Sequence, residues 1–448
     1  MKKKHNLRFA IASILALSGT SVYAQEDAAE SKFTWGGDFR FRVVSLNDIP
    51  MEAARNVSFK IDESNFTRFR TRLWGKYVFN EDYQFKIRAV NEFRNYQVNE
   101  LRNDVSGKID VDYPWRALDE IVFDELYMDI NNQFDGKLNF RVGRQALIYG
   151  TGKIILEGNP LDGSRTIYNN ALKSVYQIND KNSLDFFYFN NAQKDDLAIH
   201  SSYRNIIEWD EEGAAVYGKS KSFEAIPFEY YYVYKDEKRS GRDGDRVHLN
   251  TIGTRIMPKF TPTLDANVEV ASQWGSQGGT DMSGVLFDSQ LNWKLMPDSP
   301  LKVTPSIGYY YLSGDDAGSS KNEAWHPVLS RWPQFSELYL YSFIDGGGGH
   351  NIGSWSNISM PWIGVSLTPF KNANLNVRYY NLSANEIDKS RHPGLGDDRG
   401  DLITAKLKFK INKQWYGHLV AEFMEPGDYY QDDMDTAHFL RAEINYKF

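Results

Sequence analysis

Phe66-Thr-Arg-Phe-Arg-Thr-Arg-Leu-Trp-Gly-Lys-Tyr-Val-Phe79 places Arg68, Arg70, Arg72 and Lys76 on one face of an extended chain and Phe69, Leu73, Tyr77 and Phe79 on the other. Guanidinium forks grip carboxylates and phosphates bidentately, so a row of them is an anion-recognition surface. Set against hydrocarbon, each arginine would cost about 2–4 kcal/mol at mid-membrane, and three would cost about as much as a domain's whole stability. If this strand crosses a bilayer, the arginines face water inside a tube.

The next strand can be placed against it. A turn through Asn80, Glu81 and Asp82 joining Phe79 to Tyr83 pairs residues whose numbers sum to 162, so Arg70 faces Glu92, Arg68 faces Arg94 and Trp74 faces Arg88. Arg40 and Arg42 with Asp38 extend the surface on one side. Lys86, Glu125, Tyr127 and Asp129, then Arg141 and Gln145, extend it on the other. Cations outnumber carboxylates here, and two readings stand: the excess arginines contact a permeating anion, or carboxylates from loops and neighbouring strands pair with them. Charge reversal at Arg68 and Arg72 separates the two, since only free arginines set ion selectivity.

The elements that would hold such a wall recur along the chain. Nineteen segments alternate with period two, among them Phe33–Val44, Tyr83–Tyr96, Ile121–Asn131, Lys137–Ile148, Ala214–Lys219, Glu337–Ile344 and Ala437–Phe448. Single-chain bacterial barrels have even strand numbers, so about eighteen strands are expected, enough to leave an aqueous channel. Asn80–Asp82, Asn179–Ser183, Pro369–Asn372 and Asn412–Lys413 read as short periplasmic turns. The long intervals Asn99–Leu118, Asp236–Asp245, Ser313–Pro333, Gly346–Asn357 and Ser383–Asp401 read as extracellular loops, some free to fold inward. The last strand ends on Phe448, with Arg441, Glu443, Asn445 and Lys447 on its water face, and must close the barrel against Phe33–Val44.

Composition agrees. Aromatics make up 15% of the chain and hydrophobic residues only 41%, as expected of strands that give one face to lipid, one to water, and carry aromatic girdles. Residues 1–24 read as a signal peptide, with Lys2, Lys3, Lys4 and Arg8 before an apolar stretch, leaving residues 25–448 as one barrel domain. Removing those four cations from the formal charge of -7 gives -7 - 4 = -11 for the mature chain. Absence of cysteine excludes thiolate metal sites, cysteine nucleophiles and a lipidated-cysteine anchor. His200 beside Ser201, and His248, His326, His350, His392 and His418, form no spaced nucleophile–base constellation, so an enzyme is not expected. No metal site or cofactor is expected either: Asp315, Asp316, Asp397 and Asp398 do not match the spacing of a calcium loop.

The Arg-Phe-Arg-Thr-Arg-Leu-Trp run, Phe123-Asp-Glu-Leu-Tyr127 and Phe140-Arg-Val-Gly-Arg-Gln-Ala-Leu-Ile-Tyr-Gly-Thr-Gly-Lys153 together resemble the alginate export family of outer-membrane proteins, over roughly Phe33–Gly158. The resemblance implies an eighteen-stranded barrel whose cationic lumen passively conducts an anionic polysaccharide or oligosaccharide, with Arg68, Arg70, Arg72, Arg88, Glu125, Arg141 and Arg144 as pore residues. Arg144 has the opposite parity to Arg141, so it needs a bulge at Gly143 or a place at the membrane rim. A general or nutrient-specific small-solute porin is the rival reading. Expected partners are that saccharide, outer-membrane lipid and lipopolysaccharide, and the barrel-assembly machinery, with no nucleic acid.

Overall fold

A computed structural model describes residues 32–51, 59–103, 114–157, 168–200, 207, 209–238, 245–330, 334–339, 355–387, 396–430 and 434–448. The expected signal peptide lies outside them. Eighteen antiparallel strands form the wall: β1 (Phe33–Met51), β2 (Phe59–Val78), β3 (Tyr83–Asn103), β4 (Ile121–Gln133), β5 (Leu138–Gln145), β6 (Asn169–Asn179), β7 (Asn182–Asn191), β8 (Asp210–Ser220) and β9 (Phe228–Lys238). The second half comprises β10 (Val247–Ile256), β11 (Leu264–Gln277), β12 (Thr280–Trp293), β13 (Thr304–Leu312), β14 (Ile358–Leu367), β15 (Ala373–Ser383), β16 (Asp398–Lys410), β17 (Trp415–Glu425) and β18 (Ala437–Lys447). Each pairs with the next. The ring closes through β1 and β18, with Arg40 opposite Asn445 and Arg42 opposite Glu443, and with the Gly37 and Phe448 backbones exchanging two hydrogen bonds of 3.1 Å.

Closure leaves every strand two neighbours and no open edge, as a bilayer demands of backbone polar groups. Period two then sorts side chains: on β18 Leu440 is 47% exposed and Phe439 fully buried. The outer face carries rows of rings, such as Phe41 on Phe69 (5.2 Å) and Phe69 stacked on Phe93 (5.0 Å). At one end the strands join through tight turns in which an asparagine side chain accepts backbone N–H groups, Asn80 from Asp82 and Tyr83, and Asn412 from Gln414 and Trp415. Short turns mark the periplasmic end. At the other end connections are longer, except that Gly278 and Gly279, both at positive φ, link β11 to β12 in two residues.

Two expected strands change. Lys137–Ile148 leaves the wall at Gln145, and Leu147–Ile148 pairs instead with Leu156–Glu157 inside the barrel. The described part of Glu337–Ile344 is not a strand: the N–H groups of Glu337 and Leu338 donate to the Glu422 carboxylate (2.9 and 2.8 Å) rather than to a neighbouring strand, and Leu338 and Tyr339 are both buried. Residues 340–344 lie outside the described set. Without that segment the nineteen alternating candidates become the eighteen strands observed.

Candidate functional site

The arginine wall forms where β18, β1, β2 and β3 meet. Strand register sets Arg40 opposite Arg70, Arg42 opposite Arg68, and Arg68 opposite Arg94, with Arg70 opposite Glu92 as the sequence register requires. Like charges face one another across three of these four pairs, which is unfavourable unless anions intervene. Carboxylates supply them, some from the position directly opposite and some along diagonals. Glu92 accepts from Arg40 (2.9 Å) and Arg68 (2.8 Å), Asp38 from Arg70 (2.9 Å) and Arg72 (2.7 Å), and Glu443 from Arg42 (2.7 Å) with Arg40 at 3.9 Å. Arg70 therefore pairs with Asp38 rather than with Glu92 directly opposite. Each carboxylate bridges two guanidinium groups, so the wall keeps positive charge while its forks are committed. Arg94 donates to the Tyr96 hydroxyl (3.3 Å) and lies over the Phe66 ring.

Further round, Lys86 contacts Glu125 (2.7 Å), and Arg88 holds both Asp124 (2.7 Å) and Glu125 (2.9 Å). A bulge on β4 allows this: the register skips Asp124 between Glu125 and Phe123, turning two consecutive carboxylates toward one arginine. Arg141 grips both Asp129 oxygens (2.6 and 3.0 Å) and lies 4.0 Å from the Tyr127 ring centre.

Arg144 is placed differently from the other pore candidates. Gly143 takes a left-handed φ of 122°, but no bulge interrupts β5 there, so Arg144 stays opposite Leu126 and Asn170, away from the lumen. Its guanidinium binds Asp195 (2.8 Å) and Asp196 (2.7 Å) in the connection after β7. It is a rim anchor.

Glu92, buried between two guanidinium groups, gives a stability prediction. Replacing it with leucine leaves Arg40 and Arg68 without their bridging charge and should cost about 3–5 kcal/mol, read from urea unfolding of the reconstituted barrel. A loss below about 1 kcal/mol would class the bridge with solvent-exposed ion pairs.

Across the lumen runs the chain that follows β13. Its Val328 carbonyl accepts from Lys235 Nζ (2.5 Å) on β9, and His326 exchanges two bonds with the Gln273 side chain on β11. Ser330 and Gln334 donate to the Gly152 carbonyl, and Ile155 bridges to Leu329, tying this segment to the inward connection after β5. At its far side Ser336 donates to Glu422 on β17 (2.6 Å), and Glu337 receives a bidentate Arg441 from β18 (2.8 and 2.6 Å). β9 and β18 stand nine strands apart in a ring of eighteen, so the segment spans the barrel from side to side. Buried Trp325, Val328, Leu329 and Trp355 give it a packed interior.

One wall of the lumen differs from the arginine wall. On β15 and β16, Arg378, Lys406 and Lys408 share the inward face with Asn374, Asn376 and Thr404. Arg378 lies 4.4 Å from the Trp362 ring centre, and its one side-chain hydrogen bond goes to the Tyr380 hydroxyl (3.5 Å). Among the described residues none of the three cations has a carboxylate within ion-pair distance, and the same holds for Lys76 near the periplasmic turn. Four strands back round the ring, Glu269 and Asp288 face each other across β11 and β12; Tyr231 and Thr151 donate to Glu269. Carboxylates on β11 and β12 and cations on β15 and β16 give this stretch of the wall a lateral gradient of charge.

No protein-family model and no curated protein sequence matches the chain. Solved structures match over nearly its whole length. The outer membrane protein OpdK from Pseudomonas aeruginosa superposes with a TM-score of 0.55 at 8% identity, covering 93% of this chain and 99% of that one. OccK11 (OpdR) from Pseudomonas aeruginosa gives 0.53 at 9%, covering 92% and 96%, and Acinetobacter baumannii OccAB4 gives 0.52 at 10%, covering 94% and 99%. The fold is that of an outer-membrane porin. This porin-like barrel belongs in the bacterial outer membrane. The likeness carries the barrel and does not extend to an alginate export family.

Arg378, Lys406 and Lys408 were within reach of sequence reasoning. Lys406-Leu-Lys-Phe-Lys410 alternates cation and apolar residue as plainly as the arginine strand does. What marks these residues is the absence of acidic residues at their cross-strand positions, and that requires the register of β15 to β17.

Proposed function

We propose that the chain is a passive outer-membrane channel for small anionic solutes, carboxylates foremost. The observation that carries this reading is the group of inward cations on β15 and β16 without carboxylate partners among the described residues, in a passage narrowed by the segment after β13. A cationic wall in a water-filled, low-dielectric tube raises the local concentration of anions, and several weak contacts in series allow release as well as entry. A polyuronate would need the arginines of β1 and β2 as contacts, yet Glu92, Asp38 and Glu443 already hold their forks. A crossed lumen also favours small solutes over a polymer.

Single-channel recording in planar bilayers tests this. The expected reversal potential in a salt gradient is anion-selective, with small carboxylates reducing chloride current and uronate oligomers passing far less readily than monomers. A cation-selective current overturns the anion reading, and equal passage of oligomers restores the polysaccharide one.

A further inference from the structure

We propose that the periplasmic mouth holds a separate binding site for a monosaccharide acid, a hydroxylated six-membered ring bearing one carboxylate. The proposal rests on the reading of the barrel as a channel for small anions and adds a place where such a solute pauses on its way out.

The site is a cavity of about 310 Å³ lined by Trp74, Lys76, Gln84, Lys86, Tyr127 and Arg141, together with Asp129. It lies beside the short turn between β2 and β3, at the periplasmic end. Lys76 stands directly opposite Lys86 in the β2–β3 register. Like charges so placed repel across neighbouring strands. Lys86 is relieved by Glu125 at 2.7 Å, whereas Lys76 has no ion pair and Gln84 no side-chain hydrogen bond among the described residues. An ammonium and an amide thus reach a cavity with their donors unspent, next to a second ammonium. A carboxylate between the two lysines answers that arrangement.

The rest of the lining selects what carries the carboxylate. Trp74 has its indole laid over Gly36, where a side chain of any size would meet it: an added Cβ would lie 2.7 Å from the ring. That contact fixes the ring as a flat wall. Opposite, Arg141 is pinned by Asp129 over Tyr127, so its guanidinium plane is also held rigid. A sugar ring presents apolar C–H faces to such walls and hydroxyls to its rim, where the Gln84 amide and the Asp129 oxygens can pair with them. The volume matches one ring and not a chain of them.

The test uses the intact barrel in planar bilayers, with D-glucuronate as probe, D-glucose as its uncharged counterpart and propionate as a carboxylate without a ring. Expected are longer current blocks by glucuronate from one side of the membrane than from the other, and shorter ones with either control. Trp74→Leu and Lys76→Gln should each shorten glucuronate blocks by roughly fivefold or more. Lys76→Gln, which removes an unpaired side chain, keeps the test open if Trp74→Leu folds poorly. Blocks unchanged by both substitutions, equal from the two sides, or equal for propionate and glucuronate, overturn the site. The reversal potential of the unsubstituted channel is read separately, so loss of anion selectivity is distinguishable from loss of this site alone.

Discussion

Reversing Arg378, Lys406 and Lys408 together to glutamate is expected to turn an anion-preferring channel toward cations. Each protein charge about 10 Å from a passing monovalent ion interacts with it by about 0.4 kcal/mol in water, so a swing of six charge units amounts to about 2.5 kcal/mol. Screening over one Debye length at 0.1 M salt reduces this to about 0.9 kcal/mol, about fivefold for each ion and, because anion and cation shift in opposite directions, about twentyfold in the permeability ratio. The low-dielectric wall around the passage raises that figure. At 1 M salt, where the Debye length is about 3 Å, most of the effect should vanish, and measuring the reversal potential at both salts checks the cause as well as the size. An unchanged ratio at 0.1 M would place the ion path away from β15 and β16. The same reversal at Arg68 would act differently. Arg68→Glu sets a carboxylate against buried Glu92 and should unfold the barrel locally rather than retune it, because Arg68 is part of a bridge.

That contrast shows what period two conveys and what it does not. The faces of β1 to β4, the pairing of Arg70 with Glu92 by position, and closure of β18 on β1 were all legible, because alternation and a three-residue turn leave one register open to a strand pair. Which carboxylate a guanidinium then grips was not legible. Glu92 grips Arg68 diagonally and Arg40 one strand further on, Asp38 adds Arg70 diagonally to the Arg72 opposite it, and Glu443 meets Arg42 from the far end of the chain, because long side chains lean along the strand beyond the residue directly opposite. Asp124 joined the site through a bulge that no local signal marks, whereas Arg144 took the rim place that its parity had left open, with no residue inserted at Gly143. Glu337 resembled the start of a strand because Glu-Leu-Tyr-Leu alternates. Its backbone donors instead meet one buried carboxylate, which a pattern read along the chain cannot reveal.

The segment to which Glu337 belongs carries the other large expectation. Replacing residues 314–356 with a hairpin turn of a few residues should raise single-channel conductance several-fold. β13 and β14 are hydrogen-bonded neighbours from Thr304–Ser366 to Leu312–Ile358, so a short turn can join them without straining the wall. An eighteen-stranded ring leaves an aqueous bore once nothing crosses it. The cost is the burial of Trp325, Val328, Leu329 and Trp355, about 1.5–3 kcal/mol for each side chain, while the hydrogen bonds of the closed ring remain. A milder variant separates narrowing from general loosening. Glu337→Ala combined with Glu422→Ala removes the bidentate bond to Arg441 and the Glu422 contacts of Ser336, Glu337 and Leu338, and leaves the Lys235 and Gln273 attachments on the opposite wall intact. One end of the crossing should then move, and the current should fluctuate between the wild-type level and a larger one. Steady wild-type conductance in both variants would mean that ions pass beside the crossing segment rather than through the space it fills, which would leave the cations of β15 and β16 to act alone.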